Sequence, residues 1–237
     1  MGIFKGKSIY ITGASRGIGR ALSLIFAKDG ARLSLCARDE EALKNVREES
    51  LALGAEEVYI EPFDMRDEER IEPFYKNAVK YLGVPDILIN NAGFNPRKAY
   101  LWEYNNIEFN DMFSVNVKAG FILMKLSFLD MKEKGKGHIV NILSTACHFN
   151  NEKMSIYTAT KKAFQGLTDV FRKEARPYNI RVTGVYPGGV DTKFRKEPRP
   201  DYMRPESVAK TIYSLLSIPD DVVIHDITFR PMVETNF

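Results

Sequence analysis

The sequence predicts an α/β fold in which one doubly wound parallel sheet of about seven strands carries helices on both faces. Three observations predict it: short β-rich apolar runs alternate with longer segments of helical spacing, a glycine-rich turn joins the first run to the first helix, and no shift in composition marks a second domain. With 237 residues, 44% of them hydrophobic, the chain can bury one sizeable core, so residues 1–237 are expected to form a single domain.

The first run, 8–12, reads Ser-Ile-Tyr-Ile-Thr, a strand by its β-branched and aromatic content. It passes into Gly13-Ala14-Ser15-Arg16-Gly17-Ile18-Gly19, and helical spacing follows over 18–29. A second strand is expected at 32–36 and a helix at 40–53, where Asp39, Glu40 and Glu41 suit a helix N-terminus. Strand 58–62 and helix 68–81 come next, then strand 87–90 and a long helix, 110–134, closed by Lys132, Lys134 and Gly135. Strand 138–143, helix 157–176, strand 181–186, helix 205–217 and strand 222–228 complete the series. Strict alternation implies a parallel sheet with right-handed crossovers. One stretch is irregular: 193–204 carries Lys193, Arg195, Lys196, Arg199 and Arg204 between a strand and a helix. It is expected to cover a ligand at the carboxyl end of the sheet; its charges could suit a phosphate or carboxylate on the substrate, but a mobile solvated loop is the favoured reading of them.

Charged residues of both signs leave a net charge of only +3, too little to argue for nucleic acid, so the expected partner is a small molecule. Cys36 and Cys147 form neither a disulfide framework nor a metal-ligand cluster, and a reducing cytoplasm is the default. The N-terminal residues have no apolar stretch of signal-peptide length, and no later segment is expected to cross a bilayer.

In the glycine turn, Gly13 permits the tight bend, Gly17 lets the backbone approach a pyrophosphate, and Gly19 lets helix and strand pack closely; the helix N-terminus then faces the phosphates. Taken alone the motif also fits an ordinary strand-to-helix turn or the glycine loop of a methyltransferase. The spacing Gly-xxx-Gly-x-Gly after Thr12 resembles that of the short-chain dehydrogenase/reductase family, and the likeness extends over nearly the whole chain. Asn90-Asn91-Ala92-Gly93 is similar to the family's NNAG turn, and Asp64 matches its adenine-contacting acid. Asn116, Ser144, Tyr157 and Lys161 follow its order and spacing, and Pro187-Gly188-Gly189-Val190-Asp191-Thr192 is similar to its nicotinamide-side segment. The resemblance implies a Rossmann-like oxidoreductase whose cofactor meets Gly13, Ser15, Arg16, Gly17, Ile18, Gly19, Arg38, Asp64, Asn91, Tyr157, Lys161, Pro187, Gly188, Val190 and Thr192. It also implies a second task for Lys161 on the nicotinamide ribose, a water-linked proton relay through Asn116, and homodimers or homotetramers through the helices holding Asn116 and Tyr157. The family's common glycine pair beside the last strand is absent; the sequence there reads Thr228-Phe229-Arg230-Pro231.

Enzymes selecting NAD place an acid at the end of the second strand, whereas an arginine there accommodates the 2′-phosphate of NADP. By the resemblance Ala37 holds the acid's place, Arg38 follows it, and Arg16 precedes the second glycine. Two guanidiniums can clamp one phosphate, so the expected cofactor is NADP(H).

Tyr157 and Lys161, four apart in a helix, share a face. A free tyrosine, with a pKa of about 10, is a poor base near neutrality, and a neighbouring ammonium favours its phenolate. Tyr157 can then exchange a proton with a carbonyl or alcohol while the cofactor moves a hydride, with Ser144 holding the same oxygen. A catalytically silent NADP-binding regulatory or scaffold protein is the alternative, and the intact triad speaks against it. Cys147 and His148 adjoin Ser144, but neighbours in an extended segment point apart, so they are read as pocket or rim residues. His138 and His225 are read as structural members of strands. Phe94, Tyr100, Trp102, Phe149 and Met154 are candidate walls of an apolar substrate pocket.

Overall fold

The computed structural model describes residues 2–194 and 197–235. Seven strands, β1 (Ser8–Thr12), β2 (Arg32–Ala37), β3 (Glu57–Pro62), β4 (Ile87–Asn90), β5 (Gly137–Ile142), β6 (Ile180–Pro187) and β7 (Asp226–Phe229), form one sheet. Its order is β3-β2-β1-β4-β5-β6-β7, and every pairing is parallel. Both faces are covered, which is why the strands read as continuous apolar runs rather than alternating ones: all five residues of β1 are buried.

Helices α1 (Gly17–Lys28), α2 (Glu40–Leu53) and α7 (Pro205–Leu216) cover one face, where Leu22, Phe26, Leu43, Val208 and Ile212 pack on Ile9, Ile11, Leu33 and Leu35. Helices α3 (Ile71–Leu82), α5 (Ala119–Lys134) and α6 (Ser155–Ala175) cover the other, where Phe74, Tyr75, Leu123 and Phe164 pack on Tyr10, Leu88, Ile139 and Val182. Successive strand residues thus serve opposite cores, as the two-residue side-chain period requires.

Three differences from the sequence expectations have identifiable causes. The long helix begins earlier, as α4 (Asn106–Phe113), because Asn105 caps it: Asn105 accepts from the Glu108 N–H at 2.9 Å while Glu108 accepts from the Asn105 N–H at 3.1 Å. A π-helical turn, Ser114–Lys118, joins α4 to α5, giving 29 continuous residues with a mean hydropathy of 1.4 in their most apolar window. By length and composition this helix could cross a bilayer, contrary to expectation; here 44% of that window is buried, with Val115, Ala119, Leu123, Met124 and Met131 in the core. The last strand starts at Asp226, because Val222 and Val223 lie exposed before it; His225 precedes the strand and holds it through its carbonyl, which accepts from the Gly184 N–H at 2.9 Å.

Candidate functional site

Strand order reverses between β1 and β4, so the connections at their carboxyl ends diverge and leave a crevice. A cleft of about 1060 Å³ fills it. One wall is the glycine turn. Gly13 has φ +65°, a strained value for any side chain, and a Cβ there would lie 3.0 Å from the Ala92 Cα. A Cβ on Gly19 would lie 2.2 Å from the Gly13 carbonyl oxygen, so α1 can begin this close to β1 only with glycine. Arg16 stands at the N-cap of α1 and its side chain makes no cap bond; Ser15, Arg16, Gly17 and Ile18 all line the cleft. The turn is locked to β4 through Thr12, whose Oγ1 accepts from the Asn91 and Ala92 N–H groups at 3.0 and 2.9 Å. The Asn91 side-chain amide donates back to the Thr12 carbonyl at 2.8 Å.

The candidate reactive groups converge from β5 and α6. Ser144 follows β5, and its Oγ accepts from the Ala146 N–H at 3.1 Å, which leaves its own hydroxyl hydrogen to donate. In α6, Tyr157 and Lys161 face β5 one turn apart, and Lys161 Nζ donates to the Ile142 carbonyl at 2.9 Å. That ammonium lies 5.9 Å from the Tyr157 ring centre, and Ser144, Tyr157 and Lys161 all line the cleft. Lys161 is only 4% exposed; burial pushes it down to about 8, against a small opposing effect of the Cys147 sulfur.

Asn116 occupies the π-helical turn, buried. Its Oδ1 accepts from the Phe94 N–H at 2.7 Å, and its Nδ2 donates to the Phe94 carbonyl at 2.8 Å and the Thr160 hydroxyl at 3.0 Å. Its side chain therefore pins Phe94, and its neighbour Val115, rather than Asn116, borders the cleft.

At the far end lie Ala37, Arg38, Asp64, Arg66 and Phe94. Asp39 caps α2 by accepting from the Ala42 N–H at 3.0 Å, so its carboxylate serves the helix. Arg38 approaches Asp64 Oδ2 at 3.6 Å, and Arg66 binds the same oxygen at 2.7 Å. Burial pushes Asp64 up, but the Arg66 hydrogen bonds and the charges of Arg66 and Arg38 outweigh it and hold the carboxyl below its ordinary value. Nothing in the sequence marks Arg66, which lies among the charges of Asp64-Met65-Arg66-Asp67-Glu68-Glu69-Arg70.

Pro187, Gly188, Val190 and Thr192 line the opposite wall. A second unforeseen residue supports them: Glu234 borders the cleft, accepts from the Gly189 N–H at 3.0 Å and pairs with Arg230 at 2.9 Å, both side chains largely buried.

Of the proposed apolar walls, Phe94 and Met154 border the cleft. Tyr100 and Trp102 do not; they stack on each other at 4.8 Å, Trp102 80% exposed. Phe149 instead carries the Arg230 guanidinium at 4.5 Å. Cys147 is buried in the core below α6 and its thiol is pushed up by that burial, while His148 stacks on Tyr186 at 4.6 Å; neither borders the cleft. The basic loop is partly neutralised from within, since Arg199 binds Asp201 at 2.7 Å. Arg195 and Lys196 lie outside the described residues.

A doubly wound α/β fold with Ser144, Tyr157 and Lys161 at its crevice defines one class, and the sequence comparison agrees. The family model for short chain dehydrogenase matches residues 7–203, and the chain belongs to this family of oxidoreductases. It is 30% identical to an uncharacterized oxidoreductase of Staphylococcus aureus strain MW2, over 98% of this chain and 100% of that one. It is 34% identical to an uncharacterized oxidoreductase of Thermotoga maritima, over 84% of this chain and 79% of that one. Among solved structures it resembles the alcohol dehydrogenase of the archaeon Thermococcus sibiricus complexed with 5-hydroxy-NADP, with TM-score 0.89, 29% identity, and coverage of 97% and 98% of the two chains. A metagenomic short-chain oxidoreductase in complex with NADP gives TM-score 0.87, 30% identity, and coverage of 98% and 99%.

Proposed function

We propose that the protein is an NADP(H)-dependent oxidoreductase that interconverts a carbonyl and an alcohol, with Tyr157 as general acid and base. The observation that carries this reading is the meeting of Ser144, Tyr157 and a buried Lys161 on the cleft that the glycine turn opens. The cleft suits a dinucleotide: at about 1060 Å³ it is large enough, and its cradle at Gly13 and Gly19 is a space that a Cβ would fill. Ser15, Arg16, Gly17, Ile18 and Asn91 would hold the pyrophosphate end, and Pro187, Gly188, Val190 and Thr192 the nicotinamide end. Preference for NADP rests on Ala37, which sets no carboxylate against a 2′-phosphate, and on Arg38 and Arg16, which can bind one. The two solved relatives that carry NADP or 5-hydroxy-NADP support it.

The bound nicotinamide supplies or accepts the hydride. The chain's own residues manage the proton. Ser144 donates its hydroxyl hydrogen to the substrate oxygen and holds it against Tyr157, which gives a proton in reduction and takes one in oxidation. Lys161 favours the phenolate through its nearby positive charge. Asn116 acts from behind, keeping Phe94 and the adjacent Gly93 in place. We extend the reading to assembly as a homodimer or homotetramer through the outer faces of α5 and α6, where Phe121, Leu129, Leu167 and Val170 are exposed; light scattering should give a multiple of 27.0 kDa.

The test is NADPH consumption across a panel of aldehydes, ketones and quinones, with Tyr157→Phe beside the unaltered protein. Turnover is expected from the unaltered protein, and a loss of about 10²-fold or more from the variant with NADPH binding retained. Binding without turnover over the whole panel would favour a silent cofactor-binding protein, and full activity of the variant would overturn the assignment.

A further inference from the structure

Three charged side chains crowd the far end of the cleft, and only one of them is expected to meet the 2′-phosphate. Arg38 and Arg66 both lie 5.9 Å from the Phe94 ring centre, and both approach Asp64 Oδ2. Asp64 is the difficulty. Its Oδ2 lies 3.6 Å from Arg38, so it competes for the guanidinium that a 2′-phosphate requires.

Arg66 answers this problem. It grips Asp64 at two atoms: its guanidinium meets Oδ2 at 2.7 Å and its backbone N–H meets Oδ1 at 2.9 Å. It is held in turn by Asp111 on α4, at 2.9 Å, so two carboxylates set the direction of this exposed guanidinium. The contact to Arg38, longer by nearly an ångström, has the length of a charge contact rather than a hydrogen bond. Arg38 is thereby left to turn toward an incoming anion.

We infer that Arg66 is a specificity-determining residue of this site: by engaging Asp64, it withdraws that carboxylate from Arg38 and favours a cofactor bearing a 2′-phosphate. It acts through Asp64, and so is a positioning residue rather than one that needs to touch the cofactor. The inference rests on the proposed NADP reading, and the experiment separates the two.

Dissociation constants for NADPH, NADH, adenosine 2′,5′-bisphosphate and adenosine 5′-monophosphate are measured by calorimetry on the unaltered protein and on Arg38→Ala, Arg66→Ala and the double variant Asp64→Asn with Arg66→Ala. Arg66→Ala is expected to weaken NADPH and the bisphosphate by about tenfold, the size of a lost charge-assisted hydrogen bond, and to leave NADH and the monophosphate within about twofold. The double variant, with no carboxylate left to compete, is expected to recover most of that loss. A merely structural role for Arg66 would weaken all four ligands together and would not be repaired by Asp64→Asn, and either result overturns the inference. If the unaltered protein shows no preference for the phosphorylated ligands, or Arg38→Ala loses none, the NADP reading itself fails. If that preference holds while Arg66→Ala keeps it, the inference alone falls.

Discussion

Burial places two opposing demands on Lys161. Its folded value of about 8 lies below the ordinary 10.5, so between those values the unfolded chain holds more protons, and stability rises as the pH climbs from about 8 toward 10.5. At neutral pH the buried ammonium therefore weakens the fold, although the proposed chemistry needs its charge. Lys161→Met should raise thermal stability at pH 7 by roughly 1–3 kcal/mol, with the gain fading above about pH 10, while NADPH-dependent turnover disappears. Melting curves at both pH values together with a turnover assay check it. Other residues were legible to different degrees. Tyr157 and Lys161 show themselves by a spacing of four in a helical segment, and Asp39 by its place before a helix. Arg66 and Glu234 carry no such mark: each has one partner nearby, Asp64 and Arg230, but Asp111 and Gly189 are each 45 positions away, and only folding adds those contacts.

At the scale of elements, the strand and helix alternation could be read directly, because each buried segment is apolar at its own period. Boundaries were harder. The start of α4 hid in Asn105 and Glu108, a capping pair that a search for apolar spacing passes over, and the run from Val222 mimics a strand although its side chains stay exposed. The π-helical turn at Ser114–Lys118 had no sequence signature, since one extra residue in a helical turn changes no composition. Its role is to seat Asn116, whose amide satisfies both backbone groups of Phe94. Asn116→Leu would leave those groups and the Thr160 hydroxyl without their partner, so it should lower stability by about 2–3 kcal/mol and loosen the segment after β4. Urea denaturation gives the first quantity, and hydrogen exchange at Phe94 the second.

Across the whole molecule, the sheet is held by apolar strands with few polar groups between them, and one of these groups ties global stability to acid. His138 on β5 is 6% exposed and meets the Thr183 hydroxyl on β6 at 2.8 Å. Burial, aided by the charge of Arg181, pushes it down to about 3. A folded value below the ordinary 6.5 means that the unfolded chain takes up the proton first, so this site's contribution is complete above about pH 6.5 and lost progressively toward pH 3. The expected slope is up to about 1.4 kcal/mol per pH unit. Urea midpoints at pH 7 and pH 5 should show the unaltered protein losing about 2 kcal/mol more than His138→Gln over that interval.

Glu234 also tethers one wall of the cleft to the segment beyond β7, since it holds the Gly189 N–H at 3.0 Å and Arg230 at 2.9 Å. Glu234→Ala should therefore slacken the 187–192 wall and weaken NADPH binding even though every strand stays paired. Calorimetric titration of NADPH beside far-ultraviolet circular dichroism checks this, with weaker binding and an unchanged spectrum expected.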